Sequence, residues 1–373
     1  MRASQAIILS IAVTTADLPG AEIPVADSLL PLPLTNGAQL RLALEPLAET
    51  VLPSCAWLVD RKARHLISAT IVGDDGYFLT KASEVPSLEA CGLRVAGHPE
   101  PLTVREIRRD TSLDLALGQI AMEQTSGKPP IRAVAWTSSN PAAFGHWHCS
   151  PSLASSRKGP ELRLGVQSAK PRPIPSLGAA LGIQMSDRAP VDSSGDSPPE
   201  LPAARSGVTI LSVARESPAE SAGIKKGDVL LAVNDTAVTE YRAVNEMIQK
   251  RQPGDIVSLR IQREGREIQR KVRLASRSRV IANWDGDDYA NGGISIRTDG
   301  FPMVIQHDLP LSPPDMGGPL FDLDGRAVGI NIARADRITT FALPAETFME
   351  TLDSWLKEDR HPPKAVPVKI RER

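Results

Sequence analysis

The sequence has few aromatic residues, 4% of 373, and only three cysteines. With so few rings, its cores must be built from Val, Ile, Leu and Ala. Cys55, Cys91 and Cys149 are too few and too scattered for a disulfide framework, and no Cys-x-x-Cys pair occurs. One bridge with one free thiol stays open. There is no excess of charge either: 43 Lys+Arg against 44 Asp+Glu give a net charge of −1. That balance lacks the basic footprint of a dedicated nucleic-acid binder. No apolar run reaches the ~18 residues that a membrane helix requires. Proline, in contrast, is abundant, with 32 residues. It argues for loops, edge strands and linkers rather than a helical bundle. At roughly 150 residues per domain, the length predicts two or three domains.

The first residues carry a short apolar core, Ala6 to Val13, behind Arg2 and before small residues up to Ala16. This pattern predicts a signal peptide over residues 1–21 and export to the periplasm or beyond. From 45 to 120, short apolar runs alternate with turn signals. Ala56–Val59, Leu66–Val72 and Tyr77–Thr80 read as strands, the last two joined by Gly73-Asp74-Asp75-Gly76. Strands at this spacing predict an antiparallel barrel or sandwich. A strand at Leu162–Val166 precedes Pro171, Pro173 and Pro175, which read as a junction.

The texture then changes. Between 176 and 275 lie a strand at Gly207–Val213, a short helix opened by Ser217-Pro218, and a helix over 239–250 with Val244 and Ile248 on one face. A Ser-, Asp- and Pro-rich loop fills 186–206. Short strands return from 278. A closing helix spans 345–357, and a basic, Pro-containing tail, 358–373, is expected to be disordered.

Residues 176–275 resemble a PDZ domain of the bacterial HtrA/Deg kind. The resemblance is carried by Ala180-Leu181-Gly182-Ile183, Ser217-Pro218-Ala219-Glu220, Gly227-Asp228-Val229-Leu230 and Pro253-Gly254-Asp255. The flanking segments, 45–170 and 278–357, resemble the trypsin-like double β-barrel of the same family. Ile71 to Thr80 is similar to the hairpin before the catalytic histidine, Leu113 to Leu117 to the strand bearing the catalytic aspartate, and Asp315 to Leu320 to the nucleophile loop. The resemblance implies a mostly β protein, a trypsin-like double barrel with an α+β PDZ domain inserted in it.

Serine-protease chemistry needs a hydroxyl nucleophile, an imidazole base, an orienting carboxylate and two backbone N–H donors. Aligned on the family pattern Thr-Asn-Asn-His-Val-Val, Thr80 to Val85 place Ser83 where the histidine belongs. A hydroxyl cannot serve as that base near neutral pH. Met316 stands at the nucleophile position, and a thioether has no proton to lose. Pro314 stands at one oxyanion donor and has no N–H. Only Asp114 matches, and without a histidine it is expected to bond Ser83 or nearby backbone N–H groups. The resemblance therefore implies a protease homologue without intact catalytic residues and without a cofactor.

For peptide binding, the resemblance implies a loop at Ala180, Leu181, Gly182 and Ile183 that receives a carboxylate or carbonyl, and a docking edge through Gln184 and Met185. A helix carrying Tyr241, Val244, Met247 and Ile248 borders the groove. Gly182 is expected to allow a ligand's backbone to approach where a Cβ would obstruct it. The implied partners are peptides or unfolded segments and active HtrA-like proteases, with neither nucleic acid nor a stable membrane span. His146 and His148 share a face if extended, but no four-ligand metal set accompanies them. His307, shortly before the nucleophile loop, has no partner nucleophile.

Overall fold

Alternation of buried and turn-forming residues closes two barrels in the computed structural model, which describes residues 37–98, 100–125, 131–139, 144–153, 159–187, 207–282 and 293–362. The expected signal segment, most of the 186–206 loop and the last residues of the tail lie outside the described residues. The first barrel consists of β1 (Cys55–Val59), β2 (His65–Ile71), β3 (Tyr77–Lys81), β4 (Gly92–Val95), β5 (Leu102–Asp110) and β6 (Leu115–Ile120), closed in the order β1-β2-β3-β6-β5-β4. Gly76, at φ +83°, makes the turn between β2 and β3. A positive φ of this kind is open to glycine at no steric cost.

The second barrel consists of β7 (Trp147–Ser152), β8 (Glu161–Ile174), β17 (Phe301–His307), β18 (Pro319–Phe321), β19 (Ala327–Arg334) and β20 (Thr340–Pro344). Its first two strands precede an α+β unit and its last four follow it. That unit is a sheet of β10 (Ile183–Ser186), β11 (Val208–Val213), β12 (Val229–Val233), β14 (Ile256–Arg263) and β15 (Arg266–Arg273), in that order, with helices Pro218–Ser221 and Tyr241–Gln249. Ser217 caps the first helix by accepting from the Glu220 N–H. Val244 and Ile248 pack into a core with Val208, Leu230, Leu259 and Val272.

Three expectations change. The prolines at 171 and 173 do not mark a junction, because β8 runs through them to Ile174. Arg172 and Ile174 pair with β17, while β7 reaches only Val166, so both prolines sit where no ladder donor is required. The closing helix extends to Arg360, so residues 358–360 are not tail. Long-range pairs hold that last turn: Asp359 with Tyr77 and Arg105, Glu358 with Arg108, and Arg360 with Asp75. Finally, helices Ala38–Ala43 and Glu45–Val51, absent from the sequence reading, precede β1 and cover a core of Trp57, Cys149 and Phe321.

Candidate functional site

The end of β3 and the residues after it bring together Lys81, Ser83 and Asp114. Asp114 is buried and holds φ +59°. Its Oδ1 accepts from the Ser83 N–H at 2.6 Å, and its Oδ2 from the Ser83 hydroxyl at 2.8 Å. The Lys81 ammonium, fully buried, also donates to Oδ2, at 2.6 Å, and to the Arg297 carbonyl at 3.1 Å. Both cations lie near the Phe301 ring, Lys81 Nζ at 5.9 Å and the Arg297 guanidinium at 4.7 Å from its centroid. The lysine thus stands as the counter-ion of this carboxylate, and no imidazole is present to be oriented. Sequence reasoning missed Lys81, which occupies an asparagine position of the family pattern.

The loop before β18 is built by a proline pair. Proline favours the first turn of a helix, and Pro313–Asp315 form a 3₁₀ turn. The Met316 N–H closes that turn on the Pro313 carbonyl at 3.1 Å. Of the two backbone groups expected as oxyanion donors, Pro314 has no N–H and that of Met316 is already spent. Met316 itself is fully buried, packed with Ile305, Leu309, Leu311 and Leu320. Asp315, also fully buried, accepts from the Ser312 N–H and hydroxyl, the Ser152 hydroxyl and the Leu153 N–H. Gly317, at φ +84°, approaches β2 so closely that a Cβ would lie 2.3 Å from the Ser68 carbonyl.

His307 lies behind this loop rather than at it. The Leu309 N–H reaches its Nδ1 at 3.4 Å, so Nε2 carries the proton and donates to Asn331 Oδ1 at 2.9 Å. Burial pushes its pKa down to about 3, so the ring is neutral. Asn331 in turn bonds the Gly318 carbonyl and the Ser150 hydroxyl, which fixes the loop. His148 is buried, and no group of three or more metal-ligating side chains occurs among the described residues.

Ser83 is 7% exposed because the α+β unit covers it. The Pro253-Gly254 turn sits so close that a Cβ on Gly254 would be 3.0 Å from the Ser83 Cβ. Arg273, from β15, donates to the carbonyls of Glu84 (3.0 Å) and Gly254 (3.4 Å), bracing the turn on the barrel. The Glu84 carboxylate accepts from the Ile296 N–H at 2.8 Å.

On the α+β unit, β10 pairs with β11 along one side only and faces helix Tyr241–Gln249 along the other. Between them lies a pocket of about 200 Å³. Of the expected groove residues, Ala180, Leu181, Gly182, Ile183, Met185 and Ile248 line it. The carbonyls of Leu181 and Gly182 are taken by the N–H groups of Ala219 and Ala214. Their own N–H groups have no acceptor among the described residues.

The other expected residues do not line the pocket, although Gln184 lies on the β10 edge as expected. Gln184 accepts from the Ser212 hydroxyl, Val244 is in the core, and Met247 packs against that core. The Tyr241 N–H meets Asp187. Asn245 and Gln249, four apart on the helix, line the pocket instead, as do Arg277, Val280 and Ile281. The i, i+4 step from Tyr241 was the available signal for the first two. Gly182 is required for a different reason than expected: φ is +81° and a Cβ would lie 2.3 Å from the Ser217 Cβ, so it clears the neighbouring helix, not a ligand.

Residues 179–274 match the family described as "PDZ domain". The serine protease Do-like HtrA of Lactococcus lactis subsp. cremoris is 34% identical over 97 residues, 26% of this chain and 24% of that protein. The probable periplasmic serine endoprotease DegP-like of Bartonella henselae is 36% identical over 130 residues, 34% of this chain and 25% of that protein. The chain therefore spans about a quarter of the length of these curated relatives. Among solved structures, Deg5 covers 84% of this chain and 92% of its own at 14% identity and a TM-score of 0.40. The HtrA-type protease AlgW with decapeptide covers 62% and 98% at 14% identity and a TM-score of 0.28. Residues 179–274 thus carry a PDZ domain, and the chain is similar to curated HtrA and DegP-like proteins over 97 to 130 of its residues.

Proposed function

We propose that this HtrA-like protein is a catalytically inactive protease homologue that binds peptides or unfolded segments through its PDZ groove. It would serve as an adaptor, holdase or regulatory partner in protein quality control. In this reading residues 45–170 and 278–357 are the barrels, 176–275 the inserted peptide-binding unit, and 1–21 a signal that sends the protein to the periplasm or beyond. The observation that carries it is the loop at Pro313–Met316: a buried thioether at the nucleophile position, one missing N–H and one N–H already bonded. Loss of a single oxyanion donor costs about 10²–10³ in rate. Here one donor is missing and the other is engaged by the Pro313 carbonyl, and neither a base nor a nucleophile stands at the expected positions.

The alternative is an active serine endopeptidase, and it requires a hydroxyl near an unpaired base. Ser83 instead gives its hydrogen to a carboxylate already paired with Lys81 and lies under the Gly254 turn. A fluorophosphonate probe should label no serine, and casein should not be cleaved above background. The Met316→Ser variant should behave the same way, because base and oxyanion donors are still lacking. Labelling that disappears on mutating one serine of the natural chain would overturn the reading.

A further inference from the structure

The groove is not closed by the PDZ fold alone. After β15 the chain forms β16 (Ala275–Ser276), which pairs with β9 (Ala179–Ala180), and then a short helix, Arg277–Ala282. This pairing sets the helix against the ligand loop. The Arg277 N–H donates to the Gly178 carbonyl at 2.9 Å. A Cβ at Gly182 would lie 3.5 Å from Val280 Cγ1. Val280 is buried, whereas Ile281 is 56% exposed at the pocket wall. Arg277 is the one charged residue among the described residues lining the pocket.

The segment is anchored to chain outside the PDZ unit. The hydroxyls of Ser276 and Ser278 donate to the two carboxylate oxygens of Asp299, at 3.2 and 2.7 Å. The Ser276 N–H donates to the Ile296 carbonyl at 2.8 Å. Residues 293–299 in turn carry the Arg297 carbonyl that receives Lys81.

We propose that the peptide site is composite: the helix Arg277–Ala282 is its end wall, Arg277 is a specificity-determining residue, and the occupant is a peptide C-terminus with an apolar last side chain. This rests on the reading that the groove binds peptides. The α-carboxylate lies between the N–H groups of Leu181 and Gly182 and the Arg277 guanidinium. The last side chain fills the pocket over Leu181, Ile248 and Val280. An internal segment fits poorly on two counts. It would have to continue through the helix, and it would leave the only lining cation without an anion.

The test is a fluorescence-anisotropy titration of full-length protein with short fluorescein-labelled peptides ending in Val, Leu, Ile or Phe. Each is prepared as the free acid and as the C-terminal amide. Wild-type protein should prefer the acid by about tenfold or more, the scale of one charge-assisted hydrogen bond. The gap should narrow as salt rises from about 50 to about 500 mM, because Arg277 is solvent-exposed. The Arg277→Gln variant should lose affinity for the acid, keep that for the amide, and show little salt dependence. Ile281→Glu, at an exposed position, should weaken the acid further by placing an anion beside it. An acid preference unchanged in Arg277→Gln overturns the composite site while leaving peptide binding intact. Failure of wild-type protein to bind any probe overturns the peptide-binding reading itself, and this proposal with it.

Discussion

The buried pair of Lys81 and Asp114 makes a quantitative demand. Lys81→Met removes the cation but leaves the Asp114 carboxylate bonded only to the N–H and hydroxyl of Ser83. Breaking one half of a buried pair costs about 3–5 kcal/mol, because the remaining charge is uncompensated. Asp114→Asn keeps an oxygen for the Ser83 N–H and tolerates the positive φ, yet it strands the ammonium with one carbonyl, so a similar loss is expected. In the double variant neither charge is present. The asparagine can accept from the Ser83 N–H and donate to its hydroxyl, so the cost should fall to about 1–2 kcal/mol. The coupling is therefore several kcal/mol. Tryptophan emission during urea unfolding is a suitable assay, because no tryptophan occurs between 176 and 275 and the signal reads the rest of the chain. Losses in the double variant equal to the sum of the single ones would refute the pairing and, with it, the explanation of why a carboxylate persists here without a histidine.

Two further outcomes follow from burial and from backbone conformation. Burial depresses the pKa of His307 to about 3 from an ordinary 6.5, so below about pH 6.5 the unfolded chain binds a proton that the native ring refuses. Stability should fall with falling pH down to about 3. His65 and His148, also depressed by burial, act in the same direction. The His307→Gln variant should show a shallower slope in pH-dependent urea titrations, and an identical slope would refute this. Gly182→Val should destabilise the PDZ unit itself, since the new Cβ meets Ser217 in a strained conformation. Limited proteolysis should then cut within 179–274, and an intact unit with altered peptide binding would restore the ligand-approach explanation.

The strand pattern was readable because turn glycines and alternating apolar residues are local signals. Pro171 and Pro173 misled because proline excludes only positions that need a ladder donor, and which positions do so depends on strands far away in sequence. The last turn of the closing helix was hidden for a similar reason: its pairs with Asp75, Tyr77 and Arg105 are long-range. At the candidate site, the residues that a hydroxyl or imidazole would have occupied were legible from motif spacing. Lys81 was not, because a lysine is rarely buried without a partner, and that partner lies 33 residues further on. The spent N–H of Met316 is a matter of turn geometry. Arg277 belongs to no motif and reaches the groove only through the pairing of β16 with β9.

The division of the second barrel has a consequence for synthesis. Ile174 at the end of β8 finds its partner in Phe301 of β17. During vectorial translation at about 5–20 residues per second, β8 waits roughly 6–25 s for that strand to be made. In that interval the complete PDZ unit emerges and can fold, while β7 and β8 form an unfinished hairpin whose Leu162 and Leu164 still lack Phe321 and Ala327, later members of the cluster that buries them. The unit that would hold other proteins' exposed segments thus reaches its fold while its own chain still exposes one. A nascent chain stalled shortly before residue 301 should depend on a chaperone more than the finished protein does.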